Sequence, residues 1–175
     1  MLCGLSIALL AAGAAIFFPF GPIPFTLQTL VLMLIVLVLT SKEAMVAVGG
    51  YLLLGAIGLP VFAGFTGGFG ILLGPTGGFL VGFFIGSLLV TLLHGAIKPR
   101  LTSKRSSLVL DIFSILVVIL IYDVLGMLWF MHITGSTLAT SLTLSVFPFI
   151  VPDIIKAVAA FTCAQPIRAV LKRND

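Results

Sequence analysis

Two oppositely charged residues lie one helical turn apart in a segment that is otherwise apolar. Asp153 and Lys156 are separated by three positions, so a helix would place both on one face. Charged side chains are costly inside a bilayer and there mark binding or transport sites. We expect Lys156 to meet an acidic small molecule, while Asp153 accepts hydrogen bonds from the ligand or orients the lysine. A structural ion pair that binds nothing is the alternative.

Pro152 directly precedes this pair and is predicted to occupy the first turn of its helix. The free backbone N–H groups of a helix N-terminus attract anions. This helix start would therefore assist Lys156 in holding an acidic group.

Other polar and aromatic side chains could complete a ligand pocket. Asp123 lies beside Tyr122, where it could line the same cavity, remain a neutral acid or pair with Lys156. The Gln28 amide suits a ureido or amide group on a ligand, although an interhelical hydrogen bond is equally compatible. Trp129 shares a helix face with Tyr122 and could form an apolar wall or belong to the interfacial aromatic belt.

Three other ionisable residues are predicted to lie at the membrane interface and not in a ligand pocket. Asp111 lies within reach of Lys104 and Arg105 if they share one helix end. His94 and His132 are lone histidines at predicted helix ends, and we do not expect them to carry protons.

Composition indicates the protein class that must position these residues. The 175-residue chain is 61% hydrophobic and only 8% charged, which favours a polytopic α-helical membrane protein over a soluble domain. The net charge of +4 would suggest a nucleic-acid partner for a soluble protein, but here it reflects the positive-inside rule.

Cys3 and Cys163 lack the spacing of a metal site or disulfide framework. The first apolar segment is predicted to be a retained helix and not a signal peptide.

Six apolar segments are long enough to be considered as membrane helices, and together they form a single domain, residues 1–175. They run over residues 2–18, 25–39, 43–59, 76–97, 107–131 and 146–171. The second and third are short and could border a cavity.

Basic residues predict the orientation of this all-α integral membrane protein. Three alternate connections contain no Lys or Arg, namely 19–24, 60–75 and 132–145. Eight of the nine basic residues would then share one side with both termini, and the ninth is Lys156. The asymmetry favours six spans with both termini in the cytoplasm. The other basic residues are Lys42, Lys98, Arg100, Lys104, Arg105, Arg168, Lys172 and Arg173.

Residues 64–78 form a connection rich in Gly, Pro and Phe, as does 19–24. Non-helical backbone at membrane depth is tolerated where protein buries it or a cavity accepts it, so these segments suit a lid over a site. Simple turns are the alternative.

At the first helix, the small residues Ala8 and Ala12 would let another helix approach, inside the protein or in a separate subunit.

The sequence contains no Walker A, nucleophile-elbow or HExxH motif. If this protein pumps a substrate, the energy must therefore come from another polypeptide or an ion gradient.

Three stretches together resemble the BioY family, the biotin-binding S components of energy-coupling-factor transporters. They are PFGPIPFTLQTL at 19–30, YLLLGAIGLPVFAGFTGGFGILLGPTGGFLVGF at 51–83, and PFIVPDIIKAVAA at 148–160. The likeness extends over essentially the whole chain, and GLPVFAG followed by GPTGG is its most specific part. One departure is Phe79, where relatives often have Tyr after GPTGG.

The resemblance implies a six-helix S-component-like bundle in the cell membrane that captures biotin from outside and has no enzymatic activity or cofactor. It also implies a transmembrane coupling subunit and two ATPase subunits as partners, with Ala8 and Ala12 on the docking face. Its ligand contacts map to Asp153 and Lys156 and to the segment from Gly74 to Gly78. An S component for another vitamin, a self-sufficient cation-coupled transporter using Asp153 and Asp123, and a membrane enzyme are the alternatives. The predicted biotin-binding residues are Phe25, Thr26, Gln28, Phe69, Gly74, Thr76, Gly77, Gly78, Tyr122, Asp123, Trp129, Asp153 and Lys156.

Overall fold

Helices dominate the computed structural model, which describes residues 1–19, 21–97 and 100–171. In chain order the elements are α1 (Leu2–Ala15), β1 (Phe17–Phe18), β2 (Phe25–Thr26), α2 (Gln28–Val38), α3 (Ser41–Ala56), α4 (Phe69–Leu73), α5 (Gly77–Ile97), α6 (Lys104–Thr134), α7 (Leu138–Ser145) and α8 (Phe147–Leu171). Each of the six predicted segments overlaps one of the longer helices, and α3 and α6 extend beyond the predicted bounds.

The first connection departs from the prediction that residues 17–18 and 25–26 are helical. Phe17 and Phe18 pair in antiparallel register with Thr26 and Phe25, forming a two-stranded hairpin. The segment between them is Pro-rich, and each proline lacks a backbone N–H and biases the preceding residue to extended backbone. Helix α2 therefore begins only at Gln28.

Two short helices, α4 and α7, lie in connections where no helix was predicted. Helix α7 begins after Thr137, whose hydroxyl oxygen accepts a hydrogen bond from the backbone N–H of Thr140 at 3.3 Å. A threonine before an apolar run is a typical N-cap, so this helix had a recognisable sequence signal.

Among the described residues, three stretches are long and apolar enough to cross a membrane: Gly77–Ile97, Arg105–Thr134 and Leu138–Leu171. Helices α1 and α2 are apolar but shorter, with 14 and 11 residues. A perpendicular span needs about 20 residues, so the count of six spans stays a prediction.

Helix α5 packs closely against α6, and this contact positions Tyr122 at the candidate site. Gly78, Gly82 and Gly86 are spaced four apart and face α6. A Cβ at Gly82 would lie 2.7 Å from the Tyr122 Cα, which is too close for any side chain. Small residues at this spacing let helix backbones approach, and here they hold Tyr122 against α5.

Two polar residues that were predicted to be interfacial are buried. Asp111 is 2% exposed and accepts hydrogen bonds from Arg168 Nη1 and Nη2 at 2.5 and 2.9 Å. Asp111 is therefore not the interfacial charge that was predicted. The prediction for His94 is also wrong, because its Nε2 lies 2.8 Å from the Ser114 hydroxyl inside the bundle.

Only some of the basic residues behind the predicted charge asymmetry lie in the described part of the chain. Lys42, Arg100 and Arg105 are exposed. Lys98, Lys172 and Arg173 lie outside the described residues. Arg168 reaches into the protein, so its charge is not free at the surface.

Candidate ligand-binding site

A cavity of about 820 Å³, including the space at its open mouth, lies among α2, α5, α6 and α8. Residues 57–76, which we call the lid, connect α3 to α5 and contribute Phe62, Ala63, Thr66 and Ile71 to its wall. Of the predicted binding residues, those that line this cavity are Thr26, Gln28, Thr76, Tyr122, Asp123, Asp153 and Lys156.

The charged pair on α8 forms the polar end of the cavity. Lys156 Nζ lies 2.9 Å from Asp153 Oδ1, and both side chains are buried. Nζ also donates a hydrogen bond to the Thr29 hydroxyl of α2 at 2.9 Å. This contact is compatible with the predicted binding site and with the structural ion pair that was its alternative, so the role of the pair stays a prediction.

Both oxygens of Asp153 are hydrogen-bonded within the protein. The Thr29 hydroxyl donates to Oδ1 at 3.2 Å, and the Tyr122 hydroxyl donates to Oδ2 at 2.7 Å. Residues from α2, α6 and α8 therefore share one network. Buried charge is tolerated when its remaining hydrogen-bonding capacity is satisfied in this way.

An aromatic ring covers the ammonium group. Lys156 Nζ lies 4.2 Å from the centroid of the Phe25 ring, within the range of a cation–π contact. Phe25 in turn stacks on Phe149, with centroids 6.5 Å apart and an interplanar angle of 14°. The hairpin that displaced the predicted start of α2 therefore holds Phe25 over the charged pair.

Two polar groups in the cavity keep hydrogen-bonding capacity. Gln28 is 3% exposed, and its Nε2 lies near the Tyr51 hydroxyl but meets no acceptor at hydrogen-bonding geometry among the described residues. Asp123 is half-buried and lies within electrostatic reach of Asp153 and Lys156. The part of the chain that the structure describes gives Asp123 no hydrogen bond or ion pair. The Gln28 amide and the Asp123 carboxyl are therefore available to hydrogen-bond a group that enters the cavity.

The other predicted binding residues lie beside the cavity. Trp129 donates its indole N–H to the Gly74 carbonyl at 3.0 Å, fastening the end of the lid to α6. Gly78 packs against the Trp129 side chain, and Gly77 packs against the Leu72 carbonyl. Phe69 is 62% exposed on the lid. Direct ligand contact by these residues stays a prediction.

Several cavity residues were not among those predicted. Phe149 lies four positions before Asp153, and Phe83 lies seven after Thr76, so helical spacing could have identified both. Phe79 also lines the cavity, with a ring where a tyrosine would add a hydroxyl. Phe62 comes from the lid, and no periodic pattern pointed to it.

The expected helix start at Pro152 is wrong. Helix α8 begins at Phe147, which places Pro152 inside the helix. The backbone N–H groups that follow Pro152 are therefore not the free donors of a helix terminus. The donors seen in the polar network are the side chains of Lys156, Thr29 and Tyr122.

Known proteins resemble this chain in both sequence and fold. Residues 1–173 match the sequence profile of the BioY family. A probable biotin transporter BioY from Pyrococcus horikoshii is 39% identical over 167 residues, covering 95% of this chain and 94% of the relative. Biotin transporter BioY2 from Lactococcus lactis is 39% identical over 161 residues, covering 87% and 84%.

A solved structure shares the architecture. The crystal structure of the S component for biotin from an ECF-type ABC transporter matches with a TM-score of 0.83 and 26% identity, covering 98% of this chain and 89% of that chain. The predicted S-component-like helical fold is confirmed, and the chain is a multi-pass membrane protein. The names of these relatives describe transport proteins and not enzymes. The whole-chain match establishes that this protein belongs to the BioY family, as its three sequence stretches predicted.

Proposed function

We propose that this chain binds biotin in the cavity beneath the lid and serves as the substrate-binding subunit of a vitamin uptake transporter. The observation that carries the proposal is the network of Asp153, Lys156, Tyr122 and Thr29 at one end of a mostly apolar cavity. Biotin combines a polar ureido ring with an apolar thioether ring and aliphatic tail. The names of the relatives support the same ligand.

The balance of charge supports an orientation with the ureido ring at this network. Asp153 already neutralises Lys156, and Asp123 adds a second carboxyl group to the same cavity. A ligand carboxylate placed here would meet two acidic groups and one ammonium, which is unfavourable at low dielectric. A neutral ureido group can instead accept from Lys156 or Gln28 and donate to Asp123. The ligand carboxylate would then lie towards the mouth, near Thr66 and Thr76.

A competition assay tests both the ligand and its orientation. Purified protein is expected to bind labelled biotin, and unlabelled biotin should displace it while thiamine, riboflavin and pantothenate do not. Biotinamide, which lacks the carboxylate charge, should compete within about tenfold of biotin, since a solvent-exposed charge contributes at most about 1 kcal/mol. Loss of competition by biotinamide alone would place the carboxylate at Lys156, as the sequence predicted. Displacement by another vitamin would make this an S component for that compound.

Partner subunits complete the proposed cycle. The sequence contains no nucleotide-binding motif, which supports a separate coupling subunit and two ATPases. Ala8 and Ala12 are exposed on α1, and small residues at this spacing suit a close helix contact with the coupling subunit. We place both termini in the cytoplasm from the distribution of basic residues.

A self-sufficient cation-coupled transporter is the second candidate, because Asp123 lines the cavity without a hydrogen-bonding or ion-pair partner in the described residues. Proteoliposomes that contain only this chain are expected to bind biotin without accumulating it, even under an imposed proton or sodium gradient. Accumulation that disappears in Asp123→Asn would favour the cation-coupled transporter, and Glu43→Gln is the matched control because Glu43 lies outside the cavity.

A further inference from the structure

We infer that the outer face of the lid is inserted into the lipid of the leaflet on the cavity side. The lid has two faces of different exposure. Phe62 is 2% exposed and lines the cavity, whereas Phe65 and Phe69 are 67% and 62% exposed and do not line it. Ile57 and Leu73 are also exposed. The inference does not depend on which ligand the cavity takes.

The length of α3 places the lid at membrane depth. Thr40 and Glu43 form a capping box at the start of the helix, beside Lys42, so this end belongs at a polar surface. The helix has 16 residues, a rise of about 24 Å. The hydrocarbon core is about 30 Å thick. The chain therefore enters the lid before it has crossed the full hydrocarbon layer.

The composition around the lid fits lipid and not water. Between positions 44 and 97 the sequence contains no Asp, Glu, Lys or Arg. The exposed apolar surface of α3, which includes Leu53, continues into the lid at Ile57. An aqueous loop of this length would carry polar side chains on its outer face, and a membrane-surface segment carries Phe and Leu.

Part of the lid backbone is hydrogen-bonded within the protein, which lowers the cost of placing it in lipid. The Gly68 N–H donates to the Gly55 carbonyl at 2.7 Å, and the Phe62 N–H donates to the Thr66 carbonyl at 3.0 Å. The Val61 carbonyl accepts from the Tyr51 hydroxyl at 2.9 Å. These contacts tie the lid to α3 at Gly55 and Tyr51.

The conformation of Phe65 adds an independent argument. Its φ is +57°, and it is the only residue other than glycine with positive φ in the described ranges. This region is uncommon for a bulky residue and costs about 1–2 kcal/mol. An exposed phenylalanine held there gains nothing from water, whereas burial of its ring in lipid would offset the strain.

Fluorescence quenching by lipid tests the inference. Phe65→Trp and Phe69→Trp are each reconstituted in phosphatidylcholine vesicles with or without bromine on the acyl chains. The parent protein, which has one tryptophan, is the reference. Ile71→Trp is the matched control, because Ile71 lies on the same short helix as Phe69 but faces the cavity.

Brominated lipid is expected to quench the tryptophans introduced at positions 65 and 69 about twofold more than the parent tryptophan or the one at position 71. Quenching by aqueous acrylamide in place of lipid would overturn the inference, since the lid would then face water. Resistance to both quenchers would also overturn it, because a second copy or another protein would then cover the lid.

Discussion

Lys156→Ala is expected to weaken biotin binding by about 10- to 100-fold, because the ligand loses the ammonium donor of the cavity and a hydrogen bond from a charged group contributes about 1.5–3 kcal/mol. The variant is also expected to be less stable by about 3–5 kcal/mol, because Asp153 keeps a buried charge with only Thr29 and Tyr122 as donors. Isothermal titration calorimetry of the purified variant in detergent measures the change.

Two further proteins separate a binding effect from a folding defect. Lys42→Ala removes an exposed lysine outside the cavity and should bind biotin like the parent. The double variant Asp153→Asn with Lys156→Met leaves no buried charge at this position, so it should stay folded in a thermal unfolding assay while losing affinity. An affinity for Lys156→Ala within about threefold of the parent would remove this lysine from the site, since that ratio is under 1 kcal/mol.

Local patterns identified the charged pair, but its partners depend on the tertiary structure. Asp153 and Lys156 lie one turn apart, so spacing alone predicted their shared face. Thr29 contacts Asp153 across 124 positions, and Tyr122 does so across 31. No periodicity within one helix carries that information.

Hydropathy predicted the helices better than their ends. An apolar side chain is compatible with a lipid-facing helix and with a strand, so Phe17 and Phe18 could be assigned to either from composition. Their pairing with Thr26 and Phe25 became visible only in the folded chain. The same limitation applied at Pro152, because a proline is also accommodated inside a membrane helix.

The ion pair between Asp111 and Arg168 could not be predicted from the sequence. A carboxylate next to a basic cluster in the sequence suggested a local surface contact. The structure instead joins Asp111 to a residue 57 positions away and buries it. Arg168 Nε also donates to the Leu37 carbonyl at 2.6 Å, so one side chain connects α6, α8 and α2. This guanidinium therefore has a structural role that its position near the chain end did not suggest.

Arg168→Ala is expected to lower the thermal stability of the protein while leaving biotin affinity nearly unchanged. Removal of the guanidinium leaves the Asp111 carboxylate buried without its cation, at a cost of about 3–5 kcal/mol. That cost corresponds to a decrease of about 10 °C in the apparent unfolding temperature of a chain of this size. The affinity is preserved because Arg168 lies twelve positions after Lys156 on α8, which corresponds to a rise of about 18 Å along the helix.

Matched variants show whether the effect comes from this contact. Arg105→Ala removes an exposed arginine and should unfold at the temperature of the parent. Arg168→Lys keeps the charge but loses the two-pronged geometry, so its unfolding temperature should fall between those of the parent and Arg168→Ala. Unfolding of Arg168→Ala at the parent temperature would show that the ion pair adds no stability. A large loss of biotin affinity with unchanged unfolding would instead show that the two ends of α8 are coupled, so the pair would act on the cavity and not only on the fold.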